Sequence, residues 1–360
     1  MCSIDYLFVG GARVMPTNTF LEEEIYSQPK VLSSLLEWEL ERVEGITGEI
    51  PEFNYVVIAA RGSSDHAATY AQYVWSSLAG FPVALATPSL YTLYQTPPRL
   101  DGALVVGVSQ SGQSPDIVAV LEEGRRQGRP TLAITNAPDS PLANTADWVI
   151  PIHAGPERSV AATKTYTAQL LVMALLGALW SGSRTHLEEV KQIPAAVARA
   201  LEISDEVSRR AERYRFMEQC VVIGRGFNYA TAFELALKLK ELTYVMATAY
   251  SSADFRHGPI ATVHQGLPVI MIMPSGRAFG DVLELARDLH SYGAELLVIS
   301  DSKDAKGLAN VYCPLPEGVP EWLSPIVSIL PGQLLSLHLA QVKGLDPDSP
   351  RGLTKVTRTR

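Results

Sequence analysis

Two short stretches concentrate hydroxyl groups beside glycine: Arg61-Gly-Ser-Ser-Asp65 and Ser109-Gln-Ser-Gly-Gln-Ser114. Glycine lets a backbone approach an anion closely, and serine donates hydrogen bonds without adding charge. Gly62, Ser63, Ser64, Ser109, Gln110, Ser111 and Ser114 are therefore candidates for holding a phosphate and the hydroxyls of a sugar. Serine is also common at plain helix N-caps, so either loop alone has an ordinary explanation. Their joint position, at the ends of neighbouring strands, favours a ligand.

A second set of candidates lies on one helix. From about Ala230 to Met246 the chain is apolar except for Glu234, Lys238, Lys240 and Glu241, and positions 234, 238 and 241 share a face. Glu234 with Lys238 reads as an i,i+4 ion pair on a solvated stripe. Lys238 and Glu241 suggest more, because a helix apolar on its other faces is buried against a sheet. A carboxylate in that setting is suited to carrying a proton between carbon atoms. His257 stands in the turn Phe255-Arg-His-Gly-Pro259, which should expose its imidazole, and His66 opens a helix. Lone histidines of this kind are more often structural than catalytic. By composition, Arg351 and Lys355 are only solvated charges.

Other chemistries fail on spacing. Gly224-Arg-Gly-Phe-Asn lacks the third glycine of a dinucleotide fingerprint, and there is no Gly-Lys-Ser/Thr phosphate loop. Gly107-Val-Ser-Gln-Ser111 has serine where a nucleophile elbow needs glycine. Three cysteines, Cys2, Cys220 and Cys313, have no metal or disulfide spacing. With 30 Lys+Arg against 38 Asp+Glu, the formal charge of -8 speaks against nucleic acid. No metal or cofactor is expected.

Length and patterning indicate what positions these groups. The 360 residues correspond to two domains at roughly 150 residues each, and 47% apolar residues supply their cores. Short apolar runs at 55–60, 82–86, 103–108, 131–134 and 148–150 read as parallel strands buried on both faces. Ser114-Pro-Asp116 offers a cap, a first-turn proline and a first-turn acid for the helix that follows. The plan then repeats. Equal spacing separates Gly62 from Gly112 and Gly226 from Gly276, and both later glycines follow serine. The expected architecture is α/β: two tandem doubly wound parallel sheets, flavodoxin-like, with an N-terminal helix (21–43) and an irregular C-terminal tail. The expected boundaries are 1–45, 46–192, 205–343 and 344–360, with the units joined near 192–204. The longest strongly apolar stretch, 170–180, is too short for a bilayer, and the N-terminus lacks a signal-peptide pattern, so a soluble, reduced, cytoplasmic protein is expected.

Five motifs in order, Ser109-Gln-Ser-Gly112, Ser159-Val-Ala-Ala-Thr-Lys164, Leu237-Lys-Leu-Lys-Glu241, Arg256-His-Gly-Pro259 and Pro350-Arg…Lys355, resemble the isomerase half of glucosamine-6-phosphate synthase, a pair of sugar-isomerase (SIS) domains. The similarity runs from about 25 to 355. It implies that Ser64, Ser109, Gln110, Ser111 and Ser114 hold the phosphate and sugar hydroxyls and that Val160 lines the site. It makes Glu241 the base between C1 and C2, His257 the ring-opening group, reaching the site from the second subunit of a homodimer, and Lys238 the lysine beside C1–C2. Lys355 would form a Schiff base or orient the open chain. The start Met1-Cys2-Ser-Ile is similar to the synthase's Met-Cys-Gly-Ile, but the isomerase region begins within about 25 residues, so no glutaminase is expected there and Cys2 reads as a coincidence or relic.

Without glutaminase the resemblance implies a stand-alone deaminase, since 60–70 looks like the SIS-type glucosamine-6-phosphate deaminases. Two departures bear on substrate: Ala162 replaces a serine, and Ala253-Asp254 replace Gly-Glu. The leading expectation is deamination of glucosamine 6-phosphate or a close relative to fructose 6-phosphate and ammonia. The alternatives are synthesis with free ammonia or a partner glutaminase, and a non-catalytic sugar-phosphate-binding regulator. No nucleic acid or membrane partner is expected.

Overall fold

The computed structural model describes residues 19–355, together with the backbone of a short antiparallel pair, Phe8–Val9 and Ala12–Arg13. Cys2 lies outside the described residues. Helix α1 (Phe20–Glu49) precedes the first sheet, whose strands are β1 (Tyr55–Ala59), β2 (Val83–Leu85), β3 (Ala103–Ser109), β4 (Thr131–Thr135) and β5 (Trp148–Pro151). All pair in parallel, in the order β2-β1-β3-β4-β5. Every residue of β3 and β4 is buried, which explains their unbroken apolar character: helices cover both faces.

The second sheet repeats the first. Its strands are β6 (Gln219–Gly224), β7 (Met246–Ser251), β8 (Pro268–Ile272), β9 (Glu295–Ser300) and β10 (Val311–Pro314), again parallel and ordered β7-β6-β8-β9-β10. Both units thus have the 2-1-3-4-5 order of a doubly wound sheet, with a switch point between the first and third strands.

Helices α2 (Ser63–Leu78), α3 (Pro115–Arg126) and α4 (Lys164–Trp180) belong to the first unit; α5 (Tyr229–Thr243), α6 (Phe279–Ser291) and α7 (Ser324–Val342) belong to the second. α2 packs on α4, and α5 packs on α2, so the unit boundary runs between α2 and α5. Tyr70 on α2 donates across it to the Trp322 carbonyl at 2.8 Å.

Several expectations are corrected. The N-terminal helix extends to Glu49 rather than Val43. The helix expected to reach Met246 stops at Thr243, because Tyr244 turns left-handed with φ 59° and Met246 begins β7. The segment 192–204, where the units are expected to join, holds a packed helix, Ile193–Leu201, with Ile193, Ala196 and Val197 buried, a detail the expectation did not include. The apolar stretch 170–180 lies within α4, but the sequence reading passed over a second helix: α7 with the 3-10 turn before it, Glu321–Val342, is long and apolar enough to cross a membrane, and its apolar window is wholly buried in protein.

Candidate active site

The switch point of the first sheet places the loops after β1 and β3 side by side. Gly62 makes the first turn at φ 56°, where a side chain is disfavoured, and leads directly into α2. Gly112 makes the second at φ 61°. A Cβ there would sit 1.9 Å from Ser140 Oγ. Gly112→Ala should therefore cost roughly 2–4 kcal/mol, from left-handed strain and overpacking together, measured as a lower urea midpoint. A loss below about 1 kcal/mol would show that the loop relaxes around the new methyl group.

The two loops enclose a cavity of about 350 Å³ lined by Arg61, Gly62, Ser63, Ser64, Ser109, Gln110, Ser111 and Ser114, with Glu157, Val160, Ala162, Glu241, Leu353, Thr354 and Lys355 completing the wall. Ser64 Oγ accepts from Gln169 Nε2 at 3.0 Å, which leaves its own hydrogen for a ligand. Ser109 Oγ accepts from Gly112 N at 3.1 Å and fixes the second loop. Hydroxyls, backbone N–H groups and the N-termini of α2 and α3 meet in one space, as an anion requires.

Glu241 enters this cavity from α5, across the unit boundary. Lys238 does not line it. Its ammonium is buried one turn back, 2.6 Å from Glu241 Oε2 and 3.4 Å from Glu234 Oε1. Glu234 corrects the expected solvated stripe: its side chain is 0% exposed. It accepts from Ser63 Oγ at 2.9 Å and contacts His66 Nδ1 at 2.7 Å. Face sharing was read correctly, but the face points at α2 rather than water. Burial alone would push the Glu234 carboxyl up, yet Lys238, His66 and Ser63 hold it below the usual carboxylate range. Burial would likewise lower the Lys238 ammonium, but Glu241 and Glu234 hold it above the usual lysine range.

Lys355, which composition marked as a solvated charge, reaches the cavity. Its Nζ lies 2.7 Å from Glu157 Oε2 and donates to the Ser159 carbonyl at 2.8 Å. Glu157 is buried, and its other oxygen accepts from Thr163 N and Thr165 N, capping α4. The tail is fastened at several points across the molecule. Asp348 accepts from Phe20 N and Leu21 N at the start of α1, both at 2.8 Å. Arg351 stacks on Tyr244 at 4.2 Å, and Lys355 meets Glu157. Glu24 of α1 fixes the Val160 loop from behind by accepting from Arg158 N and Ser159.

His257 is exposed at the end of a short helix (Ser252–Arg256) and does not line the cavity of its own chain. Sequence reasoning assigned no role to Arg61 or Glu157. Glu157 stands well ahead of the start of α4 at Lys164 and gave no local signal, and Arg61 was hidden inside a motif read for its serines. Among the described residues, no cluster of three His, Cys, Asp or Glu side chains is placed to hold a metal ion. Cys220 and Cys313 are buried free thiols, pushed up to about 12 by burial.

Paired doubly wound sheets thus carry, at one switch point, a pocket lined by hydroxyls and helix N-termini, with a carboxylate and a lysine opening into it. The profile of the SIS domain matches residues 52–179 and 217–343, and the chain belongs to the SIS family. It is 34% identical over 346 residues to glutamine–fructose-6-phosphate aminotransferase of Thermococcus kodakarensis, covering 93% of this chain and 57% of that protein. The chain thus spans little more than half the length of the curated relatives it matches. Among solved structures, the C-terminal domain of glucosamine-fructose-6-phosphate aminotransferase from Francisella tularensis superposes with a TM-score of 0.85 at 29% identity, covering 92% of this chain and 98% of that one. Glucosamine-6-phosphate deaminase from Thermotoga maritima superposes at 0.79 with 22% identity, covering 95% of this chain and 100% of that one, a likeness of fold alone.

Proposed function

We propose that this protein is a sugar-phosphate isomerase that interconverts fructose 6-phosphate plus ammonia with glucosamine 6-phosphate or a close relative. The observation that supports it most is convergence: Glu241 from the second unit and Lys355 from the tail open into the same cavity as the serine loops of the first. The phosphate rests on Ser64, Ser109, Gln110, Ser111 and Ser114, and Val160 borders the sugar. Glu241 carries the proton between C1 and C2, a transfer that needs no metal because an α-proton beside a carbonyl or imine is acidic. Lys238, fixed between two carboxylates, holds Glu241 in place. Lys355 attacks or orients the open chain, and Glu157 is placed to take the proton its ammonium must lose. His257 is assigned ring opening in a homodimer, supplied to the cavity of a second copy.

One active site serves both directions, since forward and reverse reactions cross the same transition state. The expected stand-alone deaminase is therefore one face of this reaction. The sequence likeness to aminotransferases favours the other face, synthesis with ammonia that is free or delivered by a separate glutaminase. Purified protein should form glucosamine 6-phosphate from fructose 6-phosphate and ammonium chloride, and release ammonium from glucosamine 6-phosphate. Cyanoborohydride should trap fructose 6-phosphate on Lys355, and Lys355→Met should abolish that adduct by mass spectrometry. Failure in both directions with every hexosamine 6-phosphate would sink the proposal, and tight binding without turnover would indicate a regulator.

A further inference from the structure

Two cations line the cavity, and they are used differently. Lys355 spends its ammonium on Glu157 and the Ser159 carbonyl. Among the described residues Arg61 hydrogen-bonds through one nitrogen, its Nε lying 2.7 Å from Asp116 Oδ2, while the Asp65 carboxylate also feels its charge. No acceptor among the described residues bonds its two terminal nitrogens, and the side chain is 51% exposed at the cavity wall.

The partner dictates where that guanidinium sits. Asp116 is buried in the first turn of α3, two residues after Ser114, and its other oxygen accepts from its own neighbour Ile117 N at 3.0 Å. The ion pair therefore carries a positive charge from the loop after β1 to the N-terminus of α3, where the hydroxyls and free N–H groups of the anion site lie. A guanidinium anchored through Nε keeps a fork of N–H donors, a geometry that matches a phosphate.

Resting on the sugar-phosphate reading, we propose that Arg61 is a specificity-determining residue that binds the phosphate dianion of the substrate through its terminal nitrogens, with Asp116 setting its orientation. In a chain of net charge -8, with Glu157 and Glu241 in the same wall, hydroxyls alone would meet a dianion against a negative background. Arg61 brings a cation to the first turn of α3, two residues from Ser114.

The test compares wild type, Arg61→Met and Asp116→Asn, using fructose 6-phosphate and glucosamine 6-phosphate for kinetics and calorimetric binding. Arg61→Met should raise KM for the phosphorylated sugars about 10- to 100-fold, with kcat within about threefold and a flatter salt dependence. Arg61→Lys should recover part of the loss as a point charge. Asp116→Asn loses the anchor on Nε but keeps the cation and the Ile117 cap, so its KM should rise by less than in Arg61→Met, about three- to tenfold. Equal losses in the two variants would make Arg61 a structural clamp and overturn the proposal, as would an unchanged KM in Arg61→Met. If wild type neither binds nor turns over either sugar phosphate, the functional reading itself fails and this inference fails with it.

Discussion

Glu241→Gln is expected to lower kcat about a thousandfold in both directions while leaving KM within a few-fold of wild type. The argument is geometric. Glu241 Oε2 sits 2.6 Å from Lys238 Nζ, and glutamine can still accept that hydrogen bond. The fold and the cavity wall are therefore retained, and only the ability to carry a proton is removed. The sensitive readout is solvent deuterium at C1 and C2 of recovered sugar phosphate, which should vanish together with turnover. If exchange persists within tenfold of wild type, another group is the base.

Lys238→Met is expected to destabilise the protein by about 3–5 kcal/mol, because it strands Glu234, which is 0% exposed, with only His66 and Ser63 as partners. Chemical denaturation at neutral pH measures this, and a loss below about 1 kcal/mol would mean that water reaches Glu234. The pH dependence follows from the two shifts. Glu234 is held below its ordinary 4.5, so its contribution is present above that pH and lost as the pH falls through the folded value. Lys238 is held above its ordinary 10.5, so its contribution is present below that pH and lost as the pH rises through the folded value. Wild type should hold this share of stability between those limits, and Lys238→Met should flatten the acid limb by leaving Glu234 less strongly favoured as an anion.

Period and punctuation in the sequence were enough for the sheet plan and for the two loops. Buried parallel strands must be apolar throughout, and tight turns into helices need glycine and serine, so β1, β3, Gly62, Gly112 and their serines could be recognised locally. Glu241 was legible because a charged residue on an otherwise apolar helix requires a reason.

What local pattern could not supply was the facing partner. Glu234 looked solvated because i,i+4 spacing reports which residues share a face, not what that face meets; α2 covers it. Lys355 could be assigned only by resemblance, since a charged tail becomes a site only when Asp348, Tyr244 and Glu157 fasten it across the molecule. Arg61 needed Asp116, which is adjacent only once β1 and β3 pair. The sequence by itself determined the elements, the repeat and the residue types available for chemistry, because those follow from backbone propensity and burial period. Only the tertiary structure decided which charges are buried, which are paired and which remain free for a ligand, because electrostatic partners here are set by contacts between elements far apart along the chain.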